Sequence, residues 1–311
     1  MQAAPTATSL ILHQYDASPF SQKALMMLGI KGAAYHSVEM PMMPPKDAMM
    51  ALTGGYRGTP VLQVGSDVYV DSQLIARELD RLLPEPLLVP VVNGAMERMM
   101  VRSADAFFRT GLGIVLGVAL PFWPEEFRKD REHLFPDIDF NAAAANLTQA
   151  RAQYRAHAAL LEEQLADGRP FLMGARPGLA DVQAWPFTWM LRQNLPDQAS
   201  ALLAGFGAVH AWEARCAAIG QGQRTELPAA DALAVALGST PQTVEEVDPA
   251  DAQGLSAGQA VNVVPEDTRR GEVTGIVVVA TPTRVAVRRE HPAVGEVVVH
   301  FPRLGYRITP A

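Results

Sequence analysis

One cysteine in 311 residues, Cys216, excludes an intramolecular disulfide and a Cys-x-x-Cys redox pair. It sits in the helical pattern Val209-His210-Ala211-Trp212-Glu213-Ala214-Arg215-Cys216, where a buried, inert thiol is expected. Charge is also sparse, at 19% of residues with a net charge of -7. No dense Lys/Arg run occurs, which argues against nucleic acid as a partner. No stretch approaches the roughly 18 uninterrupted apolar residues of a membrane helix. The longest candidate, residues 110–122, is broken by three glycines and a proline, so no membrane partner is expected. Residues 1–9 lack the basic region and apolar core of a signal peptide and read as a flexible tail, with the cytoplasm as the default compartment. The histidines show no metal-ligand spacing, His133 standing alone in a charged loop, and no metal is expected.

What is present suits a globular chain with ample core: 49% of residues are hydrophobic, and the length fits two or three domains. Residues 10–84 alternate strand and helix in the order β-α-β-α-β-β-α. Leu10-Ile11-Leu12-His13 and residues 35–39 read as strands. Residues 21–29 read as a helix, and the runs 61–64 and 67–70 as a hairpin around Gly65-Ser66. A helix over 72–83 stops at Pro84. After a Pro-rich linker, residues 95–226 carry almost only helical periodicity, over 95–118, 141–166, 178–194 and 199–218, with a Pro- and charge-rich loop at 121–139. From Leu227-Pro228 the composition changes again. One short helix over 229–237 precedes five β-branched runs (260–264, 273–280, 284–289, 296–301 and 306–309), which predict a small antiparallel sheet or barrel over 228–311.

Three short motifs carry chemistry. Ser18 stands before Pro19 at a helix start, where its hydroxyl lies among orphan N–H groups at the positive end of the helix dipole. It can cap the helix or donate to a ligand's thiolate. Thr59-Pro60 opens a strand; a cis bond there would turn the Thr59 N–H and C=O outward as an edge for a bound peptide. Asp71-Ser72 opens a further helix, suited to capping or to holding a carboxylate, with Asp71 able to accept from an ammonium.

Residues 10–83 resemble the glutathione-binding, thioredoxin-like domain of the glutathione transferases, and the following helices resemble that family's all-helical second domain. The resemblance implies that Ser18, in Ser-Pro-Phe-Ser-Gln-Lys, assists the glutathione thiolate as in the tau and phi classes, with Phe20 among the glutathione-binding residues. It implies that Thr59, before a cis Pro60, pairs with the cysteinyl backbone, and that Asp71 and Ser72 hold the γ-glutamyl end. Lys46, with Arg57 in reserve, would meet the glycyl carboxylate. Tyr15 lies near the position where other classes use a catalytic tyrosine, and the absence of cysteine at position 18 disfavours thiol transfer. Arg169-Pro170-Phe171-Leu172-Met173-Gly174, followed by Leu179-Ala180-Asp181, resembles the family's helix-capping motif, here with Gly178 as the cap.

The resemblance implies a cytosolic, detoxifying homodimer that uses glutathione as co-substrate. Its apolar electrophile would sit against Phe107, Phe108, Leu112 and Trp123. Two other readings stand beside this one: a non-catalytic glutathione-binding or scaffold protein, and glutathione-dependent aryl ether cleavage. The segment from Pro228 is not part of the usual two-domain transferase. The ending His300-Phe301-Pro302-Arg303-Leu304-Gly305-Tyr306 looks similar to transferase-like proteins with an extra C-terminal domain.

Overall fold

The computed structural model describes residues 5–89, 94–99 and 101–311. The apolar run Leu10–Gln14 is strand β1, and α1 (Pro19–Ile30) follows the Ser18 cap. Next come β2 (Ala34–Glu39), α2 (Asp47–Thr53), the β3–β4 hairpin (Val61–Val64 and Asp67–Val70) and α3 (Ser72–Leu82). β1 pairs parallel with β2 and antiparallel with β3, in register Ile11↔His36 and Leu12↔Leu62. This is the expected thioredoxin-like unit.

The helical part consists of α4 (Gly94–Met99), α5 (Val101–Ala119), a 3-10 turn (Leu120–Phe122), α6 (Glu125–Leu134), α7 (Leu147–Leu165), α8 (Leu179–Asn194), α9 (Pro196–Leu202) and α10 (Gly207–Ala218). Helix α6 lies inside the segment expected to be a loop. Its charged sequence carries Glu125 and Glu126 in the first turn and Arg131 and His133 in the last, which favours a helix through the dipole and not through an apolar stripe. The expected 199–218 helix is two helices. The window Asp105–Phe122 has a mean hydropathy of 1.4 and is long and apolar enough to cross a membrane by composition; here α5 packs on α7 and α8.

At the start of α8, Gly178 offers no side-chain oxygen, and two carboxylates replace it. Asp181 accepts from the Gly178 and Leu172 N–H groups (3.0 and 2.9 Å) and from the Trp212 indole at 2.7 Å, while Glu97 accepts from the Ala180 N–H at 3.1 Å. Cys216 is buried 2% exposed, and desolvation pushes its thiol up, the inert state expected.

Beyond the helices, β5 (Gln223–Glu226) pairs parallel with β2 along one rim of the thioredoxin-like sheet. After α11 (Ala229–Leu237) come β6 (Glu246–Val247), β7 (Ala260–Pro265), β8 (Val273–Ala280), β9 (Arg284–His291), β10 (Gly295–Pro302) and β11 (Tyr306–Pro310). The expected antiparallel strands are present as a β7–β8–β9–β10 meander with β11 on β7. Their sheet does not stop there: β10 pairs parallel with β4, Val299↔Val68, giving the order β11-β7-β8-β9-β10-β4-β3-β1-β2-β5. The reason lies in the side chains at this junction. His300 on β10 stacks on Tyr69 of β4 with ring centroids 4.3 Å apart and meets Asp67 at 3.2 Å, and Asp67 also accepts from Thr243 and from the Gln242 N–H. Apolar packing follows the same path. Ile11, Val61, Val68 and Val70 share one core with Val261, Val297, Val299 and Phe301, while Leu12, Leu62 and Ile75 face the helices with Phe187 and Trp212.

Two buried histidines sit in this sheet. His13 is fully buried with its Nε2 2.8 Å from Gln63, and burial lowers its pKa to about 4, against that hydrogen bond. His300 is also lowered, mainly by burial, with Asp67 opposing. For both, the unfolded chain takes up a proton near pH 6.5 that the folded chain refuses. Their stabilisation is therefore present above about pH 6.5 and lost as pH falls. Denaturant titrations between pH 7 and 5 should show a loss of about 2 kcal/mol attributable to His13, and His13→Gln should remove that share of the slope.

Candidate active site

Ser18 occupies extended backbone (φ -82°, ψ 122°) at the N-cap of α1, and Pro19 opens the helix. Ser18 is 2% exposed, and its Oγ accepts from the Ser21 N–H at 3.1 Å, which leaves the hydroxyl proton free to donate. Capping and donation are thus compatible on one oxygen. Ser21, fully buried, has a hydroxyl without a partner among the described residues. Phe20, two residues on in α1, meets Phe108 edge to face at 5.0 Å.

The Thr59–Pro60 bond is cis, and among the described residues the Thr59 N–H and C=O pair with no backbone group. Asp71 caps α3 and accepts from the Gln73 N–H at 3.0 Å. Its φ of 73° makes it the one non-glycine residue with positive φ among the described residues. That conformation costs about 1–2 kcal/mol and persists where surrounding contacts fix it. Ser72 follows as the first residue of α3.

Lys46 is 5% exposed, its Nζ 5.5 Å from the centroid of the Tyr15 ring. Its pKa falls to about 8, first through burial and then through the guanidinium groups of Arg57 and Arg131, with Asp130 pulling the other way. Asp130 on α6 pairs with Arg57 at 2.6 Å and with Arg131 at 3.2 Å. Three cations around one carboxylate leave a local excess of positive charge suited to an anion. Tyr15 contributes its ring to this group.

Lys23, one turn into α1, is also buried. Its Nζ donates to Gln183 at 2.6 Å and lies 4.7 Å from the Phe187 centroid. Burial lowers its pKa to about 8, and the carboxylates of Asp105 and Asp71 partly restore it. Of the expected electrophile residues, Phe107, Phe108 and Leu112 are all buried in the helical core, Phe107 against Tyr154 and His157 and Phe108 against Phe20 and Phe187. Trp123 is half-buried and packs on Phe127 of α6. Concavities flanked by Trp185 and Trp189 open between α8 and α10, and their linings do not include Ser18, Thr59 or Ser72.

The C-terminal segment reaches this site as well. The Tyr306 hydroxyl donates to Asp71 Oδ2 at 3.2 Å. In the β7–β8 loop, the Arg270 carbonyl accepts from the Arg57 N–H at 2.7 Å, and the Arg269 N–H donates to Leu134 at the end of α6. The crossing is closest at Gly55 (φ +144°) and Gly271 (φ +99°). A Cβ on Gly271 would lie 2.0 Å from the Gly55 carbonyl oxygen, and one on Gly55 would lie 2.0 Å from that of Glu272. Tyr306 belongs to a motif noticed in the sequence and Arg270 to a polar turn, but no spacing shows that either returns to Asp71 or Gly58. Arg131 was hidden in the same way, by a helix read as a loop.

The glutathione S-transferase N-terminal domain model matches residues 12–87, and the glutathione S-transferase C-terminal domain model matches residues 125–215. A probable glutathione S-transferase of Zea mays, BZ2, is 30% identical over 191 residues, 57% of this chain and 72% of the relative. A GST-like protein from Pseudomonas syringae superposes with a TM-score of 0.80 at 32% identity, covering 98% of this chain and 100% of its own, so that likeness extends through the C-terminal strands. A Ceriporiopsis subvermispora glutathione S-transferase solved in complex with glutathione shares the fold (TM-score 0.53, 19% identity, 68% of this chain and 98% of its own). This chain belongs to the glutathione S-transferase family, built on a thioredoxin-like domain and a helical domain, with further strands added to the sheet.

Gly305 has positive φ (+84°) with open space around it, so it separates backbone strain from collision. Gly305→Ala should cost about 1 kcal/mol, and Gly271→Ala distinctly more, by denaturant midpoint at unchanged slope.

Proposed function

We propose that this protein is a glutathione transferase in which the Ser18 hydroxyl stabilises the glutathione thiolate for attack on an apolar electrophile. The observation that carries the reading is the Ser18 geometry: an oxygen already engaged as acceptor by Ser21 N–H, at a helix N-terminus, with a proton left to donate. A thiol with a free pKa of about 8.5 needs only one or two units of lowering to be largely ionised at pH 7, within reach of one charge-assisted hydrogen bond and a helix end. The unpaired Thr59 backbone would receive the cysteinyl unit, and Asp71 with Ser72 the γ-glutamyl end. The cation group of Lys46, Arg57 and Arg131 supports placing the glycyl carboxylate there. The Phe20–Phe108 pair offers the apolar side. A homodimer and a cytoplasmic, detoxifying role belong to the same reading.

The test is thiolate formation and turnover on one protein. Ser18→Ala should raise the pKa of bound glutathione, read by thiolate absorbance. It should lower kcat/KM with a chromogenic electrophile by about 10- to 100-fold, the worth of one hydrogen bond to a charge. Glutathione binding without turnover across a broad electrophile panel would favour a scaffold role.

A further inference from the structure

The C-terminal extension is not a bystander to this site. Arg270 lies in the room left by Gly58, the residue before Thr59: a Cβ on Gly58 would be 2.8 Å from Arg270 Cδ. Its Nη1 donates to the Tyr56 hydroxyl at 3.1 Å and its Nη2 pairs with Asp267 at 2.6 Å. Its Nε is buried and has no partner among the described residues. Tyr56 is itself buried and lies against the Tyr306 hydroxyl, which donates to Asp71. One polar chain therefore runs Arg270, Tyr56, Tyr306, Asp71, from the extension to the cap of α3.

A buried guanidinium N–H without an acceptor is costly, and a carboxylate is the acceptor its planar fork suits best. No carboxylate among the described residues accepts from it: Asp267 pairs with Nη2, and Asp71 accepts from Tyr306 and the Gln73 N–H. We infer that the β7–β8 loop and Tyr306 complete the glutathione site, Arg270 donating to the α-carboxylate of the γ-glutamyl unit while Tyr306 orients Asp71 toward the α-ammonium. This rests on the proposed glutathione site and adds to it a specificity for an amino-acid terminus that the two conventional domains supply only in part. Arg270 is a binding residue and Tyr306 a positioning residue; neither touches the sulfur.

The experiment is calorimetric titration of the full chain with glutathione and with 4-aminobutyryl-cysteinyl-glycine, which lacks that carboxylate. Wild type should prefer glutathione, and Arg270→Gln should weaken glutathione about tenfold or more while leaving the analogue's affinity near wild type. Arg270→Lys, which keeps charge and stem, should lose part of the preference and serves as the second variant if the glutamine form does not fold. Tyr306→Phe should weaken both ligands alike, because both carry the ammonium. A glutathione-to-analogue ratio unchanged by Arg270 substitution, in a wild type that binds glutathione, would overturn the extension's role and leave the transferase reading standing. A folded wild type that binds neither ligand would remove both.

Discussion

The pairing of β10 with β4 is the interaction on which the rest of the architecture depends. A thioredoxin-like sheet ends at β4 with a row of unpaired N–H and C=O groups, and bare rims of this kind invite unwanted partners. Here the rim is closed from within the chain, in register Val298↔Asp67 to His300↔Tyr69, and fastened by the stacked His300 and the hydrogen-bonded Asp67. Asp67 shows the balance at this junction: burial alone would raise its pKa, yet hydrogen bonds from His300 and Thr243 outweigh it and hold the carboxyl below its usual range. Because that pairing sets where the meander lies, it also sets where the β7–β8 loop and Tyr306 fall relative to Asp71.

Much of this was legible in the sequence because local rules and tertiary outcome agreed. Strand β8 and helix α11 lie where alternation and periodicity put them, and the three motifs at Ser18, Thr59 and Asp71 are helix starts and a strand start with strong local signatures. Helix α6 was missed because its stabilisation is electrostatic and its face polar, so hydrophobic periodicity had nothing to report. The continuity of the sheet was missed for a different reason. Hydrophobic alternation says that a strand has a buried face, not which rim it joins, and the Val68–Val299 pairing spans most of the chain.

The candidate site gathers charge from all three parts of the molecule. α6 of the helical part contributes Asp130 and Arg131, the thioredoxin-like part contributes Lys46, Arg57 and Asp71, and the extension contributes Asp267 and Arg270. Desolvation raises the Asp105 carboxyl; Lys23 opposes that rise, and the charges of Asp267 and Asp71 add to it. Cations gather around Asp130 (Lys46, Arg57 and Arg131), whereas Asp71 and Asp267 add to the carboxylate charge felt by Asp105, so the two groupings differ in sign.

The two rims of the thioredoxin-like sheet, at β2 and β4, are both completed by residues after Gly222, β5 on one side and β10 on the other. During synthesis the β4 rim therefore waits about 230 residues for its partner, long after the first domain could collapse around its own core. A strand made far downstream thus acts as the closing seam of the thioredoxin-like domain, and the nascent chain must be kept from sealing that seam with a neighbour's strand in the meantime.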